Sequence, residues 1–287
     1  MSQFLPLNLP TPLAYFATLV ADDVSLNLLE AATAIAQDEF PSLDIETQLA
    51  AVDQLARRLK QRLPTDAVAA HKLRALVQFF NHEQGFAGNA NDYYEPGNSY
   101  VHQVLATRRG IPVTLAVIFI ELASQLGLRA QGVSFPGHFL VKLKLGAGDV
   151  VLDPMTGESL SRDRLEQLLL AGLGERAGSA ELSVERFLQA APARQILARM
   201  LRNLKLIHRS AGDLPRQLAV QERLVVLLPD DPAERRDRGL LLEALGQWPA
   251  ASQDLAHYLA RSPRAPDRLA VGQMLERLQQ SGKPPLH

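Results

Sequence analysis

The chain has 287 residues, of which 47% are apolar, so it is large enough to bury the core of one large globular domain or two ordinary ones. Its 30 basic residues nearly balance its 31 acidic residues, and charge therefore gives no reason to expect nucleic acid or an anionic membrane as a partner. The absence of cysteine excludes disulfides, zinc–thiolate sites and thiol nucleophiles, and it favours a cytoplasmic location.

The first part of the chain is predicted to be helical after a proline-rich start, residues 1–24, which we interpret as an N-terminal extension. Apolar residues recur at helical spacing in three segments, 25–40, 44–63 and 66–81. Ser25 is the predicted N-cap of the first helix. No lysine or arginine precedes Arg57, which argues against a secretory signal because such a signal needs a basic start.

A loop and a short helix are predicted next. Glycine, asparagine and proline crowd together over residues 85–97, as is typical of a loop. Asn98 or Ser99 is expected to cap a helix that runs to Thr107, with Gly110 just beyond its end.

The most apolar stretch of the chain, residues 113–126, predicts a helix that is apolar on most of its circumference. Pro112 fits the first turn of this helix, where a missing N–H costs little. Such a helix belongs inside a core, and it is shorter than the ~20 residues that a bilayer requires.

Alternating apolar and polar residues then predict two antiparallel strands, 139–145 and 150–153. A turn at 147–148 would place Asp153 opposite Lys142. A turn at 145–146 would instead place it opposite His138. Both registers put His138 and Asp153 on the same face of the sheet, and only the second is expected to bring them into contact.

The last third of the chain contains a helical repeat. Two pairs of residues are separated by 34 positions, Gly212 with Gly246 and Pro229 with Pro263. The spacing is typical of tetratricopeptide (TPR) units, with Gly239 at a position that requires a small residue and Trp248 as a packing residue. Lys205 occupies the equivalent of Gly239 in the first unit. Two units are fewer than the three usually needed for independent stability, so we expect them to pack on other parts of the chain.

Three separated motifs resemble those of a known family. They are NSYVHQVLATRRGIPVTLAVIF (98–119), FPGHFLVKL (135–143) and LDPMTG (152–157). In this order they resemble the bacterial SirB-type family, in which a transglutaminase-like domain with a papain-type core precedes TPR-like helices. The resemblance implies an α+β domain over residues 25–180, with a helical N-terminal part, a buried central helix and a small antiparallel sheet, and an all-α TPR-like domain over residues 190–287.

The resemblance also implies a degenerate catalytic triad. Catalytic members carry a cysteine at the start of the buried helix and a His and an Asp on adjacent strands. The cysteine's position is occupied here by Pro112, on an alignment anchored by Gly110, Ala116 and Gly127. His138 and Asp153 match the other two positions. In such a triad the His removes a proton from the nucleophile and the Asp orients the His, so this pair lacks the group on which it would act.

Several alternatives are open for these residues. Thr114 is the nearest hydroxyl, but the helical rotation of ~100° per residue directs it away from the position of Pro112. Ser99 and Ser134 are weaker candidate nucleophiles. In a purely structural role, His138 would hold the sheet edge and Asp153 would cap a turn.

A residual binding cleft is a further interpretation of the pair. The predicted cleft combines His138 and Asp153 with Tyr93, Tyr94, Asn98, His102 and Arg109. A metal site is a minor alternative, for which His82, His102, His138, Asp92 and Asp153 would suffice chemically. Their spacing does not support one, and we predict neither a metal nor another cofactor.

The predicted function is binding without catalysis. A protein or peptide segment is expected to bind the degenerate cleft or the concave surface of the helical repeats, as part of a regulatory assembly. The alternative is a hydrolase or acyl-transfer enzyme in which His138 and Asp153 act with water, a hydroxyl or a metal. The sequence does not predict the partner or the oligomeric state.

Overall fold

The computed structural model describes residues 10–89, 91–92, 94–146, 148–174 and 183–281. The chain divides into two compact units, Asp22–Met200, and Met1–Ala21 together with Leu201–His287. The predicted domain boundaries at residues 24–25 and 180–190 remain predictions. Tyr93 of the predicted cleft, Ala147 of one predicted turn and residues 1–9 of the predicted extension lie outside the described residues.

Before residue 193, the unit Asp22–Met200 contains six described α-helices. They are α2 (Leu28–Ala34), α3 (Ile45–Lys60), α4 (Ala69–Val77), α5 (Val101–Thr107), α6 (Pro112–Gln125) and α7 (Arg162–Leu173). Short 3-10 helices occupy Ile35–Asp38, Pro96–Ser99 and Val184–Phe187, and α4 continues into a π-helical turn, Gln78–Glu83.

The helix starts follow capping chemistry, although at one position they differ from the prediction. Helix α3 begins after Asp44, whose carboxylate accepts the Thr47 N–H. Helix α2 begins after Asn27 and not after Ser25, because Asn27 accepts the Glu30 N–H while the Ser25 N–H bonds Asp22. The cap is therefore an amide two residues later than predicted.

The end of α5 also differs from the prediction. The residue with left-handed backbone is Arg108, at φ 61°, and not Gly110. Gly110 lies in a strand, where an added Cβ would come within 3.0 Å of the Val104 side chain. Glycine is thus favoured there by close packing and not by turn geometry.

Helix α6 forms the centre of this unit, as its apolar sequence predicts. Pro112 is its first residue, and ten of its residues are buried, including Leu115, Ile118 and Leu122 at 0% exposure. It packs against α2, α3 and α5 on the helical side and against two strands on the other. Burial of each large aliphatic side chain contributes about 1.5–3 kcal/mol, so α6 accounts for much of the core.

Two small sheets complete the unit. One pairs β1 (Ala87–Gly88) with β2 (Arg109–Gly110) in parallel, and the other has the antiparallel order β3 (Ala130–Val133), β4 (Leu140–Leu145) and β5 (Gly148–Leu152). Leu145 pairs with Gly148 and Val141 with Leu152. This register lies between the two that were predicted, so both predicted pairings of Asp153 are wrong.

The other unit is helical. It contains α1 (Pro12–Leu19), which packs on α9, and the consecutive helices α9 (Leu214–Leu227), α10 (Pro232–Ala244), α11 (Trp248–Arg261) and α12 (Arg268–Ser281). The division from the first unit falls within α8 (Ala193–Ser210). The predicted combination of helices, a buried central helix and a small antiparallel sheet, followed by an all-α segment, is confirmed.

The repeat residues behave largely as predicted. Gly212 and Gly246 adopt positive φ, 68° and 73°, in the turns before α9 and α11. A Cβ on Gly239 would lie 2.8 Å from the Leu255 side chain, which shows that α10 and α11 approach closely there. Trp248 is 45% exposed, so its prediction as a packing residue is wrong. No helix among the described residues has both the length and the apolar character that crossing a membrane would demand.

Candidate functional site

His138 is positioned by a tight turn between β3 and β4. The His138 N–H bonds the Phe135 carbonyl at 3.1 Å, with Pro136 and Gly137 at the two central positions. Gly137 has φ 70°, the value that this turn requires after proline. The Phe-Pro-Gly-His sequence therefore fixes the backbone from which the imidazole projects.

Asp153 is positioned by the turn that follows β5. Its Oδ1 accepts the Met155 N–H at 2.8 Å, and its carbonyl accepts the Gly157 N–H at 2.8 Å. Gly157 has φ 75°, and a Cβ there would lie 2.5 Å from Asn81 Oδ1. The Leu-Asp-Pro-Met-Thr-Gly sequence thus folds into a turn held against the π-helical turn.

The two side chains meet. His138 Nε2 lies 2.9 Å from Asp153 Oδ2, with 16% and 18% of the respective side chains exposed. The sequence predicted contact only if the two residues paired directly, which they do not. Contact occurs because both residues lie just beyond the paired ends of β4 and β5, where the two chains leave the sheet.

The geometry of the pair defines its chemistry. A carboxylate oxygen at hydrogen-bond distance favours the proton on Nε2 and leaves the lone pair on Nδ1. Asp153 is itself oriented by the Met155 N–H. The arrangement can accept a proton from a hydroxyl or a water that approaches Nδ1.

The candidate nucleophiles are poorly placed for reaction. Thr114 and Ser99 are completely buried, and the Thr114 hydroxyl has no hydrogen-bond partner. Ser134 is exposed, and its hydroxyl accepts a hydrogen bond from Arg199 at 3.1 Å. Arg199 also donates to the His138 carbonyl at 2.9 Å, so this side chain holds the turn in place.

Two of the predicted cleft residues stabilise backbone. Asn98 is buried, donates to the Asp92 carbonyl at 2.7 Å and accepts from Asn89. Arg109 is exposed, and its guanidinium donates to the Gly85 carbonyl at 2.6 Å. The first interaction links the 3-10 helix Pro96–Ser99 to the residues ahead of it, and the second links β2 to Gly85.

The remaining described residues of the predicted cleft are His102 and Tyr94. His102 packs edge-on against Phe40, with ring centroids 4.6 Å apart, and its Nδ1 is buried without a hydrogen-bond partner. Burial lowers the pKa of His102, and the nearby charge of Glu39 opposes this shift. Tyr94 is 74% exposed. Among the predicted cleft residues that the structure describes, His138 and Asp153 are in direct contact.

The structure gives no support to a metal site among the residues it describes. No group of three or more His, Asp or Glu side chains is close enough there to hold an ion. His82 and Asp92 are both exposed.

One residue of this region was missed by the sequence analysis. Asn81 donates through Nδ2 to the Phe86 and Pro154 carbonyls, at 3.1 and 3.2 Å. It thereby links the Asp153 turn to the segment ahead of β1. An asparagine in the middle of a helical pattern was the available signal, because the side chain competes for backbone groups.

A second polar cluster, which the sequence analysis also missed, lies in the helical unit around Glu234. Glu234 is 4% exposed and accepts hydrogen bonds from Arg202 and Gln221, each at 2.8 Å. Lys205 contacts Glu234 and donates to Asp237 at 2.6 Å. Burial raises the pKa of Glu234, but these hydrogen bonds and positive charges outweigh it and hold the pKa below its ordinary value.

Comparison with known proteins places both units in described families. Residues 46–202 match the transglutaminase-like superfamily, and residues 204–276 match a tetratricopeptide repeat model. A UPF0162 protein of Xylella fastidiosa strain 9a5c is 36% identical over 84% of this chain and 86% of its own. UPF0162 protein PA3419 of Pseudomonas aeruginosa is 33% identical, covering 88% and 90%, and UPF0162 protein YchA of Escherichia coli K12 is 30% identical, covering 83% and 86%. No solved structure shows significant similarity to the chain.

Proposed function

Because the chain belongs to the transglutaminase-like superfamily and to the UPF0162 family, we propose that it is a non-catalytic, SirB-type member that binds a protein or peptide segment. The TPR repeats support a role in protein interaction. A regulatory role is part of the same proposal, since a protein that catalyses no reaction acts through the partners that it binds. We propose a cytoplasmic location as well.

The observation that carries the proposal is the start of α6. Pro112 occupies the first position of this helix, and the nearest hydroxyl, that of Thr114, is completely buried. A nucleophile must reach a reacting carbonyl at about 3–3.5 Å, which a fully enclosed side chain cannot do without a local rearrangement. Among the described residues, the His138–Asp153 pair therefore offers a proton acceptor without a candidate nucleophile that is placed to use it.

The helical unit offers a surface that a partner can cover. Leu206 is 61% exposed and Leu240 is 36% exposed, and they occupy equivalent positions 34 residues apart on α8 and α10. The two helices are neighbours, because Arg202 and Lys205 of α8 reach carboxylates of α10. A contiguous exposed apolar patch is a feature of interaction surfaces, and we propose that these two side chains contribute to one.

Two measurements test the proposal. Wild type and His138→Ala should both be inactive on ester and peptide libraries, and an activity that disappears in a folded His138→Ala protein would contradict the absence of catalysis. Crosslinking followed by pull-down should recover the same partner with wild type and with Leu269→Asp, an exposed control on α12. Recovery should fall when both Leu206 and Leu240 are replaced by Asp.

A second candidate function is hydrolysis with water as the nucleophile. The contact between His138 and an oriented Asp153 favours it, because this is the arrangement that makes an imidazole a general base. Hydrolysis of a library substrate that is lost in both His138→Ala and Asp153→Asn would establish this function in place of the first.

A further inference from the structure

Two arginines of the first unit, Arg58 on α3 and Arg108 at the end of α5, lie on buried aromatic rings, and we call them the arginine pair. The guanidinium carbon of Arg58 is 5.8 Å from the centre of the Phe79 ring. That of Arg108 is 4.5 Å from the centre of the Phe86 ring. Phe86 stacks on Phe80, the neighbour of Phe79 in the chain, with 4.3 Å between the ring centroids. A guanidinium that lies flat on an aromatic face keeps its N–H edge available for other partners.

The backbone of Arg108 is unfavourable for any residue with a side chain. Arg108 ends α5 with φ 61°, and among the described residues it alone combines a side chain with a positive φ. Glycine is the usual residue at such a helix end, because it has no Cβ to strain. An observed departure of this kind points to a role for the side chain that offsets the strain.

The arginine pair brings two like charges together. Arg108 is half-buried, and burial lowers the pKa of its guanidinium, which the positive charge of Arg58 lowers further. Neither guanidinium forms an ion pair or a hydrogen bond with any residue that the structure describes. Arginine stays protonated in proteins, so the pair cannot relieve this repulsion by losing a proton.

The neighbouring acidic side chains are engaged elsewhere. Glu83 pairs with Arg62, which lies one turn after Arg58 on α3 and covers the same Phe79 ring at 5.3 Å. Asp53, the acidic residue nearest to the pair along α3, accepts a hydrogen bond from Gln125 of α6. The arginine pair therefore retains two positive charges without a countercharge among the residues that the structure describes.

We infer that the arginine pair binds the dianion of a phosphate monoester. Such a group carries a charge of about −1.5 to −2 at pH 7, which matches two guanidiniums, whereas a monocarboxylate would neutralise only one. The planar N–H edges of arginine also fit the oxygens of a phosphate better than a point charge does. A small phosphate ester and a phosphorylated side chain share this chemistry. The inference is independent of the proposed function, since it concerns neither His138 nor the helical repeats.

The test is isothermal titration of the full chain with methyl phosphate at constant ionic strength. Wild type should bind it saturably with a Kd of about 1 mM or below, whereas acetate, with a single charge, should bind at least about tenfold more weakly. Arg58→Gln and Arg108→Gln should each weaken binding about tenfold or more, because a charge-assisted hydrogen bond is lost. Arg57→Gln, which removes an exposed arginine about 100° around the same helix, should leave the affinity within about twofold.

Arg108→Gly separates binding from backbone strain. Glycine suits the left-handed backbone at this position, so a tenfold loss of affinity in this variant, with folding verified by circular dichroism, cannot be attributed to a distorted helix end. No saturable binding by wild type up to ~10 mM methyl phosphate would overturn the inference. Equal affinity in wild type, Arg58→Gln and Arg108→Gly, or an equal loss in Arg57→Gln, would overturn it as well.

A second titration identifies the source of the phosphate. The ligand is a phosphoserine peptide with glycines on both sides, and the same peptide without the phosphate is the control. Binding of the phosphopeptide at least tenfold tighter than methyl phosphate would support a phosphorylated protein segment as the ligand. Equal affinity for the two would support a small phosphate ester. Binding of the unphosphorylated peptide with the same affinity as the phosphopeptide would overturn the inference.

Discussion

Two polar clusters, one in each unit, differ in how completely their hydrogen-bonding groups are used. Around Glu234, both carboxylate oxygens accept hydrogen bonds from charged or amide donors. At His138, one imidazole nitrogen is held by Asp153, and the other forms no hydrogen bond with any residue that the structure describes. The first cluster joins three helices, whereas the second presents an oriented base.

The Glu234 cluster therefore contributes mainly to the stability of the fold, whereas the His138–Asp153 pair is the candidate for chemistry. Removal of one member of a buried, paired group of charges strongly destabilises the fold, because the remaining charges are left without a partner. A partly exposed pair at the end of two strands contributes less and tolerates change. The same kinds of side chain thus join the repeats in one unit and form a candidate site in the other.

Replacement of Glu234 by Ala should give the largest loss of stability. Arg202, Lys205 and Gln221 would all lose their shared acceptor, and the free energy of unfolding should fall by about 3 kcal/mol. Urea denaturation at neutral pH measures the loss. Glu243→Ala, which removes a carboxylate from the same helix, is the control and should stay within about 0.5 kcal/mol. A loss below about 1 kcal/mol for Glu234→Ala would mean that the cluster stabilises the fold no more than an ordinary surface ion pair does.

At the other cluster, Asp153→Ala should cost more than His138→Ala. Asp153 bonds both the Met155 N–H and the imidazole, so its removal should lower the free energy of unfolding by about 2 kcal/mol. Removal of His138 should cost about 1 kcal/mol, because only one side-chain hydrogen bond is lost. Chemical denaturation of both variants gives the order, and equal losses would mean that the turn does not depend on the carboxylate.

Much of the fold follows from patterns that span many residues. Three predictions do not depend on any single residue, because several positions support each of them. They are the apolar helix α6, the 34-residue repeat and the order of the three motifs. The strand register is different. A shift of the turn after Leu145 by one residue changes every strand pairing by two residues. The alternation of apolar and polar residues cannot distinguish these registers, because each of them puts the same side chains on the same face of the sheet.

The sequence singled out His138 and Asp153 as a pair, but it did not predict the strand register that brings them together. The motifs identified His138 and Asp153, and the structure brings them into contact. The wider cleft stays a prediction. Asn98 and Arg109 bond neighbouring backbone, and this role does not show in the sequence. The Glu234 cluster was missed because its members come from three helices and look like ordinary surface charges.

The buried hydroxyl of Thr114 gives a prediction of opposite sign. Thr114 Oγ1 has no hydrogen-bond partner and is fully enclosed, so Thr114→Val should raise the free energy of unfolding by about 1 kcal/mol. Thermal and urea unfolding both measure the gain. Thr33→Val is the matched control, because the Thr33 hydroxyl bonds the Leu29 carbonyl and its loss should not stabilise. Destabilisation by Thr114→Val would reveal an interaction of the hydroxyl and would revive its role as a nucleophile.

The smallest expected effect is a pH dependence that arises at His102. Burial between Phe40 and Tyr100 lowers the pKa of His102 in the folded protein, although the charge of Glu39 acts in the other direction. The unfolded chain therefore binds more protons than the folded protein below the ordinary pKa of about 6.5. Stability should be constant with respect to this group above that pH and should decline as the pH falls towards the lowered pKa.

Urea unfolding at pH 7.5, 6.5 and 5.5 isolates this contribution when wild type is compared with His102→Gln. The variant should lose less stability than wild type between the highest and the lowest pH, because it has no group at this position to protonate. His71→Gln, which replaces an exposed histidine on α4, should retain the wild-type slope. If His102→Gln kept the full slope, the acid sensitivity would have to come from carboxylates that are hydrogen-bonded only in the folded state. Glu234 and Asp237, whose pKa values are held below their ordinary value, would then be among its sources.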